Sequence, residues 1–368
     1  MNTRSIENSV PRRVRWLAVV ATLAISACST TGATPAPVPG ATTATSPDSA
    51  TGAPGQTQEA SVITDFLLWG WHSPFFAGVD QGFFEQEGID LTIRDGKGSV
   101  DTATQLATGN VDFGLIDIST ALKAMSEGAD FKLIGVHLQR YPGGFLYIEE
   151  RTPISEWADF EGIRIGGTPA DAYFTALPGL LRENGADPES FELVEMEAAA
   201  TTGALIAGQV DAIPGSAMTA PPRRAAAAEE DLTLGRFGFA DNGFEGVGFA
   251  VATTTEHYKN DKELVQAFVD AWAKSTLWTM DNRDTAVEAF IAANPEKDFE
   301  LERQSFEESA ALIPYDESTY FVFDEERMTF TIDFVNETYG VDLDGSAAYT
   351  NEFVDQLPDG FAEGELGE

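Results

Sequence analysis

From Val62 to Thr254 the chain alternates between short β-rich runs and longer stretches whose apolar residues return with helical period. The runs predict strands at Val62–Trp69, Leu91–Ile93, Asp112–Asp117, Lys132–Leu138, Gly162–Gly167, Phe191–Met196, Val210–Gly215 and Val247–Thr254. Helices are predicted between them. The first opens at Ser73-Pro74, a capping residue followed by a proline suited to the first turn. A later one opens at Asn260 or Asp261 and carries its apolar stripe on Leu264, Val265, Phe268, Trp272 and Leu277.

One pattern occurs twice. Leu106-Ala-Thr-Gly109-Asn-Val111-Asp112 returns as Leu205-Ile-Ala-Gly208-Gln-Val210-Asp211, with the same L-x-x-G-x-V-D spacing. Upstream, Phe84-Glu-Gln-Glu-Gly88-Ile-Asp90 is matched by Leu181-Arg-Glu-Asn-Gly185-Ala-Asp187, in each case a helix ending at a glycine suited to a left-handed C′ position before a strand. Each copy reads strand, helix, glycine, strand, helix, glycine, strand, which implies a parallel sheet covered by helices. The fold class is therefore α/β in two lobes, each a mainly parallel sheet flanked by helices, with a cleft at the hinge where the carboxyl ends of the strands face each other. Lobe 1 is assigned residues 62–150 and 246–356, with Gly143–Arg151 as the outgoing crossover and the C-terminal helices clasping it; lobe 2 is assigned 151–245.

The ends carry other signals. Arg4, Arg12, Arg13 and Arg15 precede the apolar run WLAVVATLAIS, the layout of a bacterial signal peptide over residues 1–27. That run is too short for a permanent membrane span. The single cysteine, Cys28, follows Ile25-Ser26-Ala27, which resembles a lipobox, so a lipid on Cys28 and an extracytoplasmic, membrane-anchored protein are expected. Residues 28–61 read as a flexible tether of Thr, Ala, Pro, Gly and Ser with a reach of about 30 Å, and residues 357–368 as an acidic tail.

Charge narrows the partners. Lys and Arg number 22 against 60 Asp and Glu; losing residues 1–27 removes four arginines and Glu7, leaving 18 against 59 and a net charge of −41. Nucleic acid is excluded as a partner, because phosphate contacts need clustered Lys and Arg.

Residues 66–280 resemble the bacterial ABC-transporter substrate-binding proteins that serve thiamine-pyrimidine precursors, riboflavin, nitrate, taurine and alkanesulfonates. The stretches FAGVDQGFFEQEGIDLTI, DGKGSVDTATQLATGNVDFGLID, FEGIRIGG and LIAGQVDAI carry the resemblance. It implies a type II periplasmic-binding-protein fold, a monomer that captures a small molecule by hinge closure, and an ABC permease with its ATPase as partner. No cofactor or metal is implied.

Within that frame the strand-end loops supply the candidate ligand contacts. WGWHSPFFAG, Trp69 to Gly78, offers Trp69, Trp71, His72 and Phe75, with Trp71 as the stacking platform. Gly98 and Ser99 open the next helix, where free backbone N–H groups can meet a polar ligand atom. Asp117, Arg140, Thr168, Asp171, Tyr173, Phe174, Glu197, Ser216, Asp241 and Phe244 follow at later strand ends, and Asp112 is read as a supporting carboxylate. Rings with carboxylates suit a nitrogenous heteroaromatic whose exocyclic N–H groups the carboxylates accept. Sulfonate or nitrate would want donors without nearby carboxylates, an option that Arg140 keeps open. The rival class is enzymatic. A pyrimidine synthase of the yeast type shares the fold among the wider relatives, but it is iron-dependent and cysteine-rich. The mature chain has no second cysteine, and His72, His137 and His257 are scattered.

Overall fold

The computed structural model describes residues 57–169, 171–313 and 320–357. The leader-like segment 1–27, Cys28 with most of the tether, and the tail beyond Leu357 lie outside the described residues. Among the described residues no helix is long and apolar enough to cross a membrane.

The chain first lays down β1 (Gln58–Ile63), a 3-10 turn (Gly70–His72), α1 (Ser73–Asp80), α2 (Phe83–Gln86), β2 (Ile89–Arg94), α3 (Ser99–Ala107), β3 (Phe113–Asp117), α4 (Ile118–Ser126) and β4 (Phe131–Leu138). It crosses to β5 (Gly144–Ile148), β6 (Arg164–Gly167), α5 (Ala172–Glu183), β7 (Glu192–Glu195), α6 (Ala198–Ile206), β8 (Ala212–Pro214), α7 (Ala220–Ala228) and β9 (Leu234–Gly238). It then returns through β10 (Phe249–Thr254), α8 (Thr255–Asn260), α9 (Lys262–Asp281), α10 (Arg283–Ala293), α11 (Phe299–Ala310) and α12 (Glu325–Tyr339).

Two five-stranded sheets result, ordered β2-β1-β3-β10-β4 and β7-β6-β8-β5-β9. Each is mainly parallel with one antiparallel strand in the fourth place, β10 or β5. That strand is in each case the first one laid down after a crossover. Edge strand β4 leads into β5, and edge strand β9 leads into β10, so residues 139–143 and 239–248 are the two connections between lobes.

The structure moves two boundaries. β1 runs over Gln58–Ile63 rather than Val62–Trp69, so the tether ends earlier than residue 61. Its polar opening, Gln58-Glu59, hid the strand. Its end is set by Thr64, whose hydroxyl donates to the Phe66 carbonyl at 2.6 Å and turns the chain. Gly144–Ile148, assigned as crossover and placed in the first lobe, is a strand of the second sheet paired with both β8 and β9.

Alternation along the strands feeds three apolar clusters. Phe113 and Leu115 of β3 face the cluster shared with α9, where Phe113 stacks on Phe268 at 3.7 Å, while Ile116 faces a second cluster. That second cluster runs on through Tyr141 and Phe145 to Ile165, Ala212 and Phe237 of the other sheet, so the lobes share one core beside the crossovers. Leu146, Ile213 and Leu234 turn to the far face of the second sheet.

The C-terminal segment touches both lobes. Leu133 donates its N–H to the Ala348 carbonyl at 3.0 Å and Val136 donates to Phe321 at 2.7 Å, which covers the exposed edge of β4. α12 packs against α4 and α5, and α11 against the 3-10 turn and α7, where Arg224 pairs with Glu308 at 3.2 Å.

Candidate functional site

The two repeat carboxylates stand at the amino ends of their strands, away from the interlobe face. Asp112, just before β3, accepts from the Ser61 N–H and hydroxyl, both at 2.8 Å, and lies 2.8 Å from His257 Nε2. Asp211, just before β8, accepts from the Arg164 N–H at 2.9 Å and from its guanidinium. Each ties the third strand of its repeat to the first, β3 to β1 and β8 to β6, which accounts for the V-D of the pattern.

The opposite, carboxyl ends of the strands gather the polar groups. Asp117 ends β3 and caps α4: its Oδ1 accepts from the Thr120 N–H at 2.7 Å, and its own N–H donates to Ser99 Oγ at 3.0 Å. Its other oxygen, Oδ2, and the hydroxyl of Ser119 are buried without a hydrogen-bond partner. Burial lifts the Asp117 carboxyl to about 6; the Thr120 hydrogen bonds oppose the rise, Asp65 adds to it, and the nearby Tyr141 hydroxyl favours the charged form.

From the second lobe, Asp171 caps α5 by accepting from the N–H groups of Tyr173 and Phe174 at 2.9 and 3.3 Å. Burial raises its carboxyl, with Arg223 partly opposing. The Tyr173 ring meets Tyr141 edge-on at 6.0 Å, and burial together with Asp117, Asp171 and Asp65 keeps the Tyr173 hydroxyl protonated. Gly143 makes this approach possible, since a Cβ there would sit 2.5 Å from Tyr141 Cε1 and 2.6 Å from Tyr173 Cε1.

Between these groups lies a cavity of ≈ 10 Å³, lined by Asp117, Ser119, Tyr141, Ala176, Leu180, Phe239, Phe244, Phe334 and Tyr339. That is room for about one water. Both lobes, both crossovers and α12 contribute to its wall.

Of the residues singled out in the sequence, Asp117 and Phe244 line this cavity, and Tyr173 stands beside it. Ser99 supports Asp117 from behind, while Gly98 adopts φ 120° to start α3. Ser216 is buried in the turn before α7, bonded to Thr219. Thr168 accepts through its carbonyl from the Asp171 N–H.

The aromatic stretch is mostly core. Trp71 is 2 % exposed, packed against His72 at 4.1 Å, His137 at 5.9 Å and Phe249 at 5.4 Å, so it offers no free face for stacking. Phe75 is fully buried against His137. His72 accepts from the Trp69 N–H on Nδ1, which places its proton on Nε2 for donation to Asp65 at 2.9 Å. His72 and His137 therefore flank one tryptophan rather than lying scattered. Trp69 is half-buried under the Lys297 ammonium, 4.7 Å from its ring, and Lys297 also donates to the Leu68 carbonyl at 2.8 Å.

Four further candidates lie elsewhere. Arg140 pairs with Asp241 at 3.0 Å, Asp241 also pairs with Arg236 at 2.6 Å, and all three form an ion-pair group reached by solvent at the crossovers. Glu197 is exposed ahead of α6, and Phe174 turns away to meet Phe191 at 5.3 Å. Tyr141 directly follows the strand-end candidate Arg140, and that position is its signal in the sequence; for Ala176, Leu180, Phe239, Phe334 and Tyr339 a helical or apolar pattern gives no sign of which face meets the cleft.

Residues 69–286 match the model of the family described as NMT1/THI5 like. Among similar proteins, a 4-amino-5-hydroxymethyl-2-methylpyrimidine phosphate synthase from Legionella pneumophila is 24% identical over 311 residues, 81% of this chain and 94% of that protein. A formylaminopyrimidine-binding protein from Halalkalibacterium halodurans is 22% identical over 259 residues, 70% of this chain and 77% of that one. The like-named synthase of Uromyces fabae matches only over 110 residues, so the chain spans 32% of that relative's length. Among solved structures, the periplasmic aliphatic sulphonate binding protein of Escherichia coli superposes with a TM-score of 0.60 at 14% identity, covering 77% of this chain and 87% of that one. The ligand-binding component of an ABC-type import system from Staphylococcus aureus gives 0.61 at 15% identity, covering 82% and 99%. These likenesses establish the two-lobe periplasmic-binding-protein fold.

Proposed function

The chain belongs to the NMT1/THI5-like family, and from that premise we propose that it is an extracytoplasmic solute-binding protein of an ABC importer. It captures a small nitrogenous heteroaromatic between its lobes and presents it to a permease driven by its ATPase. The single observation that carries this reading is the interlobe cavity: a ring of Tyr141, Phe239, Phe244, Phe334 and Tyr339 around the Asp117 carboxyl, at the carboxyl ends of the strands. Flat side chains suit a flat ligand, and the carboxyl accepts from N–H groups. The formylaminopyrimidine-binding relative supports the same class. Anchoring through a lipid on Cys28, after removal of residues 1–27, belongs to this proposal and is tested by mass spectrometry of the membrane fraction.

Two other readings have a specific observation behind them. Organosulfonate or nitrate is the alternative ligand class, favoured by the sulphonate-binding structural neighbour. Asp65, Asp117 and Asp171 weigh against an anion: Arg223 acts on Asp171, the causes acting on Asp117 include no cation, and Arg140 is engaged by Asp241. Catalysis is favoured by the synthase relatives. Among the described residues, however, no three His, Cys, Asp or Glu side chains are grouped to hold a metal ion, and His72 and His257 are each bonded to an aspartate.

A thermal-shift panel on the intact chain discriminates these. Aminopyrimidines, thiamine and riboflavin are set against taurine, alkanesulfonates and nitrate, at low and high salt. A ligand at 100 times its Kd stabilises by about 2.7 kcal/mol, a shift of a few degrees. A response to a flat heterocycle is expected; a response to sulfonates or nitrate alone overturns the ligand class.

A further inference from the structure

We propose that Asp117 and Ser119 read one edge of the ligand, an N–H group lying beside an acceptor nitrogen, and that this pair sets the site's preference for an amino-heterocycle over its oxo counterpart. The inference rests on the binding-protein reading and adds the functional group that is recognised.

Asp117 and Ser119 stand two residues apart at the start of α4, and both line the interlobe cavity. Each is only 4% exposed, yet each keeps a polar atom, Oδ2 and Oγ, without a hydrogen-bond partner. Buried polar atoms are almost always satisfied, so two orphans lining one cavity mark a place where partners arrive from outside the chain, with the Tyr141 hydroxyl as the protein group that reaches the carboxyl from the crossover. Their chemistry restricts what arrives. An ionised carboxyl can only accept, so the ligand must donate to Asp117; a hydroxyl can donate, so an acceptor atom next to that N–H is matched by Ser119. An oxo group in place of the amine would set an oxygen against the carboxylate.

The surroundings hold Asp117 ready for this role. Oδ1 is committed to the Thr120 N–H and fixes the carboxyl plane, and Ser99 holds the backbone N–H. The titratable groups about the carboxyl are Asp65 after β1, Tyr141 on the crossover, Tyr173 on α5 and Tyr339 on α12. Burial lifts the Asp117 carboxyl to about 6, so at neutral pH it is mostly charged and gains from any N–H donor brought to Oδ2.

The test is calorimetric titration of the intact chain at pH 7.5 with two probes of one shape, 4-amino-2-methylpyrimidine and 2-methylpyrimidin-4-one. Wild type is expected to prefer the amino form by roughly 10- to 100-fold, the worth of a hydrogen bond to a charged group. Asp117→Asn keeps the cap on Thr120 and should fold, but its amide can donate, so the preference should collapse or reverse. Ser119→Ala should weaken the amino probe by roughly tenfold. Binding of either probe with an amino preference unchanged in Asp117→Asn overturns the edge reading and leaves the heteroaromatic reading standing. Failure of wild type to bind either probe overturns the edge reading, while the heteroaromatic reading then stands or falls with the thermal-shift panel of thiamine and riboflavin.

Discussion

His137 lies on β4, fully buried among the rings of Trp71, Phe75 and Trp272, and both its ring nitrogens lack a hydrogen-bond partner. Burial, helped by His72, lowers its pKa from 6.5 to about 3. The folded protein therefore refuses a proton that the unfolded chain accepts. Linkage fixes the sign: between pH 6.5 and about 3 the unfolded state holds the extra proton, so this residue subtracts about 1.4 kcal/mol of stability for each pH unit of acidification. At pH 5 the loss is about 2 kcal/mol, and above pH 6.5 it vanishes. His137→Leu removes the titration altogether. It also removes two orphan polar atoms worth about 1–3 kcal/mol, against a shape mismatch of up to about 1.5 kcal/mol. Urea unfolding of both proteins at pH 7.5, 6, 5 and 4 checks this. The variant should be as stable as wild type or slightly more so at pH 7.5, and its advantage should widen by about 1.4 kcal/mol per unit below pH 6.5. The many carboxylates titrate in both proteins and cancel in the difference. Parallel stability curves would refute the reasoning, because they would mean that His137 finds water or a partner when charged.

Two other perturbations follow from the same structure. Hydrogen bonds from His257 and Ser61 hold the Asp112 carboxyl below its usual range against the opposing effect of burial, and the Asp112 bond raises His257 in turn. The Asp112 contribution is lost as pH falls through its depressed value, and that of His257 is lost as pH rises through its raised one. Asp112→Asn should thus cost most near pH 5 to 6, by at most about 1 kcal/mol for so exposed a pair, and less at pH 9; an equal cost at both values in urea unfolding would contradict the linkage. Gly143→Ala drives a methyl into the rings of Tyr141 and Tyr173 and should cost about 1–3 kcal/mol by overpacking, with a changed near-UV circular dichroism signal; a neutral substitution would mean that the rings part freely.

The topology was legible because the repeat carries chain-wide information in a few residues. Gly88, Gly109, Gly185 and Gly208 all adopt positive φ, at 76°, 68°, 74° and 70°, where the pattern requires helices to end. β5 escaped because Gly144–Ile148 follows a crossover with no helix between, so nothing in its local pattern tells a sixth strand of one lobe from the first of the next. The candidate site was half legible. Asp117 was visible as the residue ending a strand before a helix, which is a local property. Trp71 was misassigned because a tryptophan in a strand-end loop can face the cleft or the core, and the choice is made by His137 and Phe249, far away in the chain. Phe334 and Tyr339 were illegible for the same reason: α12 meets the cavity only through its packing on α4 and α5.

The two lobes are in contact in the structure described. Ala217 and Met218 of the second lobe are buried in the cluster built by the first sheet and the C-terminal segment, and the space left between the lobes is ≈ 10 Å³, far below the hundreds of cubic ångströms a ring system needs. On the proposed function, admission of such a ligand requires the lobes to part and Met218 to leave its place. On that reading, closure without ligand leaves Asp117 Oδ2 and Ser119 Oγ lining a space for about one water, whereas a ligand that donates to one and accepts from the other would meet both atoms only in the closed state. The affinity of such a ligand for closed over open would exceed what ring contacts alone provide, and that difference is what would shift the population.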